Sequence, residues 1–366
     1  MGAGTDEFVS VALSMDRKKM QGVRSSRKID SLAFPPPSIQ LGVHRRMTRQ
    51  PNALDRRSFV RIASAATVAA PLAGSIARFA HGAPAARQPA ESAVGELYAS
   101  LSDAQRGEIC FDFNHSKRTE ISANWHVTKH KIGDTFYSDK QRDLIDRVIR
   151  GVTTEDGYER FQRQMTSDHQ GVHNYAIAIF GDPSTDQFQW ELTGRHLTLR
   201  ADGNSVPGAA FGGPLVYGHG VGNPKRSLFG YQTAVANEVF KSLDAEQSKS
   251  ALVEGFPGEW EVELQGSEGT FEGVAVADLS GEQKQLVEQT LRTIIAPYRE
   301  TDVEEAMSIL NANGGVDQLR MAFYQDEDLL NDKVWDLWRI EGPNLVCHFR
   351  GAPHVHAYIN IGVKQA

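Results

Sequence analysis

The segment Tyr175-Ala-Ile-Ala-Ile-Phe-Gly-Asp-Pro-Ser-Thr-Asp-Gln-Phe-Gln-Trp-Glu-Leu-Thr-Gly-Arg-His-Leu-Thr-Leu-Arg-Ala-Asp202 decides the fold class. Residues 175–180 form a short apolar run closed by Gly181-Asp182-Pro183-Ser184, a turn signal. Phe188, Trp190 and Leu192 then alternate with Gln189 and Glu191, the period of a strand with one buried and one wet face. A break at Thr193-Gly194 precedes a third run, 195–200, which Asp202-Gly203-Asn204 closes. Strands joined by connections this short are antiparallel.

A second cluster of the same kind ends the chain: 334–340, a Gly342-Pro343-Asn344 turn, 345–350 and 354–361. Between the clusters, 260–264 and 270–277 read as a further pair of strands. Helix starts repeat one grammar: Ser102-Asp-Ala-Gln105, Ser138-Asp-Lys-Gln141, Asp244-Ala-Glu-Gln247 and Ser280-Gly-Glu-Gln283. Each fits a capping box, in which the first side chain accepts from an amide and the Gln reaches back. Leu144, Ile145, Val148 and Ile149, and later Leu286, Val287, Leu291, Ile294 and Ile295, follow at helical spacing, with Gly151 and Pro297 at the expected stops. The boxes are 36, 106 and 36 residues apart, too irregular for a solenoid. Helices and antiparallel strands in separate runs predict an α+β domain, a sheet or meanders with capped helices packed on one side.

Upstream, Asp55-Arg56-Arg57-Ser58-Phe59-Val60-Arg61 has the twin-arginine export pattern, followed by a weakly apolar stretch, 62–80. That stretch is Ala-dominated and carries Pro71 and Arg78, so a cleaved signal is expected rather than a membrane anchor. Ala83-Pro84-Ala85 offers a cleavage site. The expected organisation is an upstream extension over 1–46 with translation starting at Met47, a signal and linker over 47–90, and one domain over 91–366. The export machinery is then a partner, and the destination periplasmic or extracellular.

Residues 1–85 hold 13 Lys+Arg and 5 Asp+Glu, which leaves the remainder at a formal charge of −15. Such a surface repels phosphate backbones, so nucleic acid is excluded as a partner. The two cysteines, Cys110 and Cys347, form no Cys-x-x-Cys pattern, and their separation leaves open whether they pair. The glycine-rich run 208–222 lacks the frame of a nucleotide-binding loop, so no nucleotide cofactor is expected. It reads equally as a loop bordering a pocket or as a plain connection.

The sharpest chemical signal is Pro353-His354-Val355-His356-Ala357-Tyr358. On a strand His354, His356 and Tyr358 share one face while Val355, Ala357 and Ile359 face the core. Two imidazoles at i and i+2 can ligate one ion, and a third ligand from another strand would complete a site with an open position, as in catalytic zinc. His196 is the preferred third ligand and His219 the reserve; His348 is also available. Arg195 or Tyr358 would position a developing anion. The implied cofactor is one divalent transition metal, zinc first, in an enzyme that is a hydrolase rather than a redox protein. Histidines more than ~7 Å apart would exclude this, since ligands sit about 2 Å from one ion. The alternative is a non-catalytic periplasmic protein that binds a small molecule or carbohydrate in an aromatic cleft without converging ligands, with Trp125, Trp335 and Trp338 as candidate lining.

The ordered series Leu101-Ser102-Asp103-Ala104-Gln105-Arg106, Phe111-Asp112-Phe113, Trp125-His126, Ile179-Phe180-Gly181-Asp182-Pro183, Gly194-Arg195-His196-Leu197-Thr198-Leu199, Phe211-Gly212-Gly213-Pro214, Arg339-Ile340-Glu341-Gly342-Pro343 and His354-Val355-His356 resembles the bacterial family called domain of unknown function 3500. The resemblance implies frequent twin-arginine export and no established activity. Family members commonly carry a second histidine where Arg195 stands, and an Arg-Asp pair where this chain has Ile359-Asn360. Chemistry carried by those groups in relatives would be altered here.

Overall fold

Each of the four Ser/Asp-x-x-Gln segments starts a helix, with both hydrogen bonds of the capping box made. The computed structural model describes residues 89–203, 205–325, 328–329 and 331–364. The arginine pair, the stretch 62–80, the site at Ala85 and the start at Met47 lie outside the described residues. Among the described residues no helix is long and apolar enough to cross a membrane.

The N-terminal half runs α1 (Pro89–Ser100), α2 (Asp103–Ile109), β1 (Cys110–Phe111), α3 (Asp139–Gly151), α4 (Glu155–His169), β2 (Ala176–Gly181), β3 (Phe188–Gly194), β4 (Leu197–Asp202) and β5 (Leu215–His219). The C-terminal half runs α5 (Tyr231–Ser242), α6 (Ala245–Ala251), β6 (Leu252–Val253), β7 (Val274–Ala275), α7 (Gly281–Ile295), α8 (Glu300–Ala312), β8 (Arg320–Tyr324), β9 (Leu337–Gly342), β10 (Leu345–Arg350) and β11 (Val355–Ile361). Apart from β7 the two halves repeat the same order. The protein is α+β.

The sheet order is β1-β2-β3-β4-β5-β11-β10-β9-β8-β6, with β7 also pairing β8. It reads the same from both ends, and the halves meet at the antiparallel pair β5 and β11. Register repeats with it. Cys110 pairs Ile179 in parallel as Leu252 pairs Phe323. Ile179 opposes Trp190 as Phe323 opposes Trp338, and Gly194 opposes Leu197 as Gly342 opposes Leu345. The helix pairs repeat it too: Gln141 donates to Ser100 O at 3.0 Å and to Gln105 Oε1 at 3.1 Å, while Gln283 donates to Ser242 O at 2.7 Å and to Gln247 Oε1 at 2.9 Å. The recurring 36-residue spacing is therefore the trace of an internal structural repeat, two copies joined at β5 and β11 in one open sheet instead of stacked as a solenoid.

One sheet face carries the main core. Ile177, Trp190, Leu199, Tyr217, Ala357, Cys347, Trp338 and Phe323 pack there against the buried residues of the helices. The other face is covered as well, by irregular chain. Val127 with Trp125 and Phe111 lies over Ala176, Ala178 and Phe180; Val262 and Leu264 with Ile121 lie over Val216, Val346 and Tyr358. This corrects the expectation of a wet face on β3: Gln189, Glu191 and Thr193 are fully buried. The polar face is legible as alternation, but its groups are paired inside, where Arg200 and Gln189 both donate to Oε1 of Glu191 and its Oε2 is left without a partner among the described residues. Residues 260–264 are likewise covering chain, not strand, and only Val274–Ala275 of 270–277 pairs. Cys110 and Cys347 are free, on strands far apart in the sheet order.

Candidate metal centre

β3 returns into β4 through a two-residue turn, Arg195-His196, one residue pair later than the sequence suggested. His196 takes a φ of +57°, a left-handed conformation a bulky side chain rarely adopts. Two backbone bonds hold it there, from His196 N to Ala123 O at 2.6 Å and from Gly218 N to His196 O at 2.9 Å. The turn thus lies beside the end of β5, and across β5 lies the start of β11, where His356 opposes Gly218. Gly218 makes this crossing possible. A Cβ there would stand 3.1 Å from His356 Cδ2, 3.4 Å from His196 Cβ and 2.3 Å from Val355 O.

His196, His354 and His356 therefore meet, each offering a ligand atom within 4.8 Å of the others. Their ring centroids are 4.6 to 5.3 Å apart. Two of the rings are oriented by carboxylates. His196 Nδ1 is 2.7 Å from Asp168 Oδ2, and His356 Nδ1 is 2.7 Å from Glu259 Oε2. Ionised carboxylates only accept, so both Nδ1 atoms carry the proton and both Nε2 atoms keep a free lone pair. His356 Nε2 lies 3.0 Å from His354 Nε2. Two imidazole nitrogens this close share either a proton or a cation.

Asp168 sits at the end of α4 with its side chain 3 % exposed. It accepts from Gln164 at 2.9 Å and from the Gly220 amide at 3.0 Å to each oxygen. Burial alone would raise its pKa; the bonds from His196, Gln164 and Gly220 outweigh it and hold the carboxyl below its ordinary value. Glu259 behaves alike, its burial outweighed by His356 and by Arg350, whose Nη1 lies 2.5 Å from Oε1. Arg350 Nη2 is also 2.9 Å from His356 Nδ1 and 3.3 Å from His354 Nε2. Since Nδ1 of His356 has one proton and an anion beside it, the guanidinium is paired with Glu259, not with the ring. Burial, then His356 and Arg350, push His354 down to about 4, and burial lowers His356 against the pull of Glu259. Both are neutral imidazoles at neutral pH, the form that ligates.

The donor set fits a transition metal. Three imidazoles with two carboxylates behind them is the arrangement in which outer partners set ring orientation and basicity. Ligands about 2.1 Å from a tetrahedral ion stand ~3.4 Å apart, so the widest pair would close by up to ~1.4 Å on binding.

The other predicted residues lie elsewhere. His219 faces away from the cluster: Leu228 N donates to its Nδ1 at 3.0 Å, and its Nε2 is 3.3 Å from Ser167 Oγ. His348 is fully buried, with Arg339 Nε donating to its Nδ1 at 3.2 Å. Tyr358 follows His356 on the same face, with ring centroids 6.1 Å apart, but is 3 % exposed beneath the covering chain. Burial, with Glu259 beside it, keeps its phenol protonated. Arg195 lends its backbone: its carbonyl accepts from Tyr175 at 2.6 Å and Gln164 at 3.0 Å. Trp338 is core, and Trp125 and Trp335 pack against core clusters. The glycine-rich run contains β5 itself and so is not a plain connection, and Ala209, Gly212, Gly213 and Pro214 before that strand border a pocket. Sequence reading missed Asp168, Gln164, Glu259 and Arg350; only Gly218 and Gly220, as part of the glycine run, left a signal.

The chain belongs to the family described as protein of unknown function (DUF3500), whose pattern matches residues 84–359. No curated protein and no solved structure matches it.

Proposed function

We propose that this member of the family is an exported metal-dependent enzyme, a hydrolase in preference to a redox protein, in which His196, His354 and His356 hold one divalent transition metal, zinc first. The observation that carries the reading is the pair of Nδ1-to-carboxylate bonds, which turns free Nε2 lone pairs toward one place. Zinc bound there would supply a Lewis acid and bring the pKa of a water near neutrality.

The chain's own groups have separable tasks. Asp168 and Glu259 fix the rings of His196 and His356 and hold their protons on Nδ1. Arg350, beside both His354 and His356, is placed to stabilise negative charge developing on a substrate, the task expected of Arg195 or Tyr358. Tyr358 retains its proton, so it could donate a hydrogen bond to a substrate but not act as a base. Delivery by the twin-arginine machinery to the periplasm or outside the cell, with no stable anchor after cleavage, belongs to the same proposal. The binding-protein reading expects a cleft without converging ligands, so the convergence of three histidines favours the metal enzyme.

Elemental analysis of protein purified from periplasm without chelator tests this. About one equivalent of a transition metal is expected in the wild type and none in a His354→Ala/His356→Ala variant. Metal in neither protein would reject the metal centre and favour the binding protein.

A further inference from the structure

A groove of about 750 Å3 opens on the sheet face away from the helices, between residues 254–272 and strands β8 and β9. Its wall carries two large aromatic side chains left in water, Trp260 at 63 % and Phe256 at 49 % exposure, with the Phe256 ring 6.3 Å from that of Tyr324. Five glutamates line it against one arginine. That arginine, Arg339, is engaged: Nη1 lies 3.5 Å from Glu341, Nε donates to His348, and Nη2 donates to Gly258 O at 3.3 Å. Glu254, Glu261, Glu263 and Glu272 have no cationic partner among the described residues.

Unpaired carboxylates beside an exposed indole disfavour phosphates and acidic sugars and attract cations, through charge and through the ring face together. A neutral sugar would stack on the rings and donate hydroxyls to the carboxylates, but it would leave the charge of four glutamates uncompensated. We propose that this groove binds a flexible ligand bearing primary ammonium groups, with Trp260 as the platform and Glu261 and Glu272 as the counter-charges. The groove connects to the histidine cluster through the chain: Glu259, which orients His356, directly precedes Trp260. A ligand seated on Trp260 and Glu261 lies on the residues that continue from the metal-orienting carboxylate.

Calorimetric titration of the full chain with spermidine and with trilysine, chelator present, tests the assignment independently of any metal. Saturable binding of spermidine assigns a free amine, and binding of trilysine alone assigns lysine side chains of a peptide; either supports the proposal. Affinity is expected to fall about tenfold in Glu261→Gln/Glu272→Gln protein and about threefold in Trp260→Ala. Both substitutions lie in an open groove and leave the core intact. No binding of either amine, equal binding of neutral cellotetraose, or unchanged affinity in the double variant would overturn it.

Discussion

Replacing Asp168 by Asn keeps the shape of a side chain that is 3 % exposed and removes its charge. The carboxylate accepts from His196 Nδ1, Gln164 Nε2 and the Gly220 amide. An amide has one oxygen for these donors and turns an NH2 group toward at least one of them. Loss of a charge-assisted bond costs ~1.5–3 kcal/mol, so the metal-free variant should unfold more easily by about that amount. A second effect falls on the metal. With no anion at Nδ1, His196 is free to carry its proton on Nε2, where it cannot ligate, and outer-partner losses of this kind weaken metal affinity ~10- to 100-fold. At zinc 100 times the wild-type Kd, wild type should gain about 2.7 kcal/mol of stability, and the variant only ~0.4–1.4 kcal/mol. Denaturant unfolding of chelator-stripped protein, with and without zinc, measures both terms. Equal zinc-dependent stabilisation of the two proteins, or none in wild type, would refute the role given to Asp168.

Two further expectations follow from buried groups. His348 is fully buried and pushed down to about 3, first by burial and then by Arg339, so below pH ~6.5 the unfolded chain takes up a proton that the folded one refuses. Its contribution is whole above that pH and falls as pH drops toward 3; at pH 5 metal-free protein should have lost ~2 kcal/mol that His348→Gln protein does not lose, and parallel pH–stability curves would contradict this. Gln141→Ala and Gln283→Ala each remove a capping-box acceptor and a bond to the last residue of α1 or of α5, so each should cost ~1–2 kcal/mol by chemical denaturation. A large loss in one and none in the other would show that the repeat is not energetically equivalent.

Local signals survived folding wherever the interaction they encode is local. The capping boxes needed only three residues and a backbone, and all four form. Strand periodicity located β2, β3, β4, β10 and β11 to within about two residues. It also assigned the faces of β11 correctly, with Val355, Ala357 and Ile359 in the main core and His356 and Tyr358 opposite. The same alternation misled where covering chain decides exposure. Gln189 and Glu191 read as wet because a polar residue on a strand usually is; segments far off in sequence bury them.

The chain by itself thus determined the α+β class, the helix starts, the shared face of His354 and His356, and the family. What brought His196 to them was the sheet order, which sets β4, β5 and β11 side by side, and a glycine at 218 that lets two imidazoles approach across the strand between. Asp168 and Glu259 are two among 46 acidic residues, and nothing in their local sequence distinguishes them. They gain their meaning from lying 2.7 Å from the right ring nitrogens. Periodicity is a short-range property of a polymer and can be read along it, whereas a ligand set is a meeting of residues distant in the chain, created only when the strands pair.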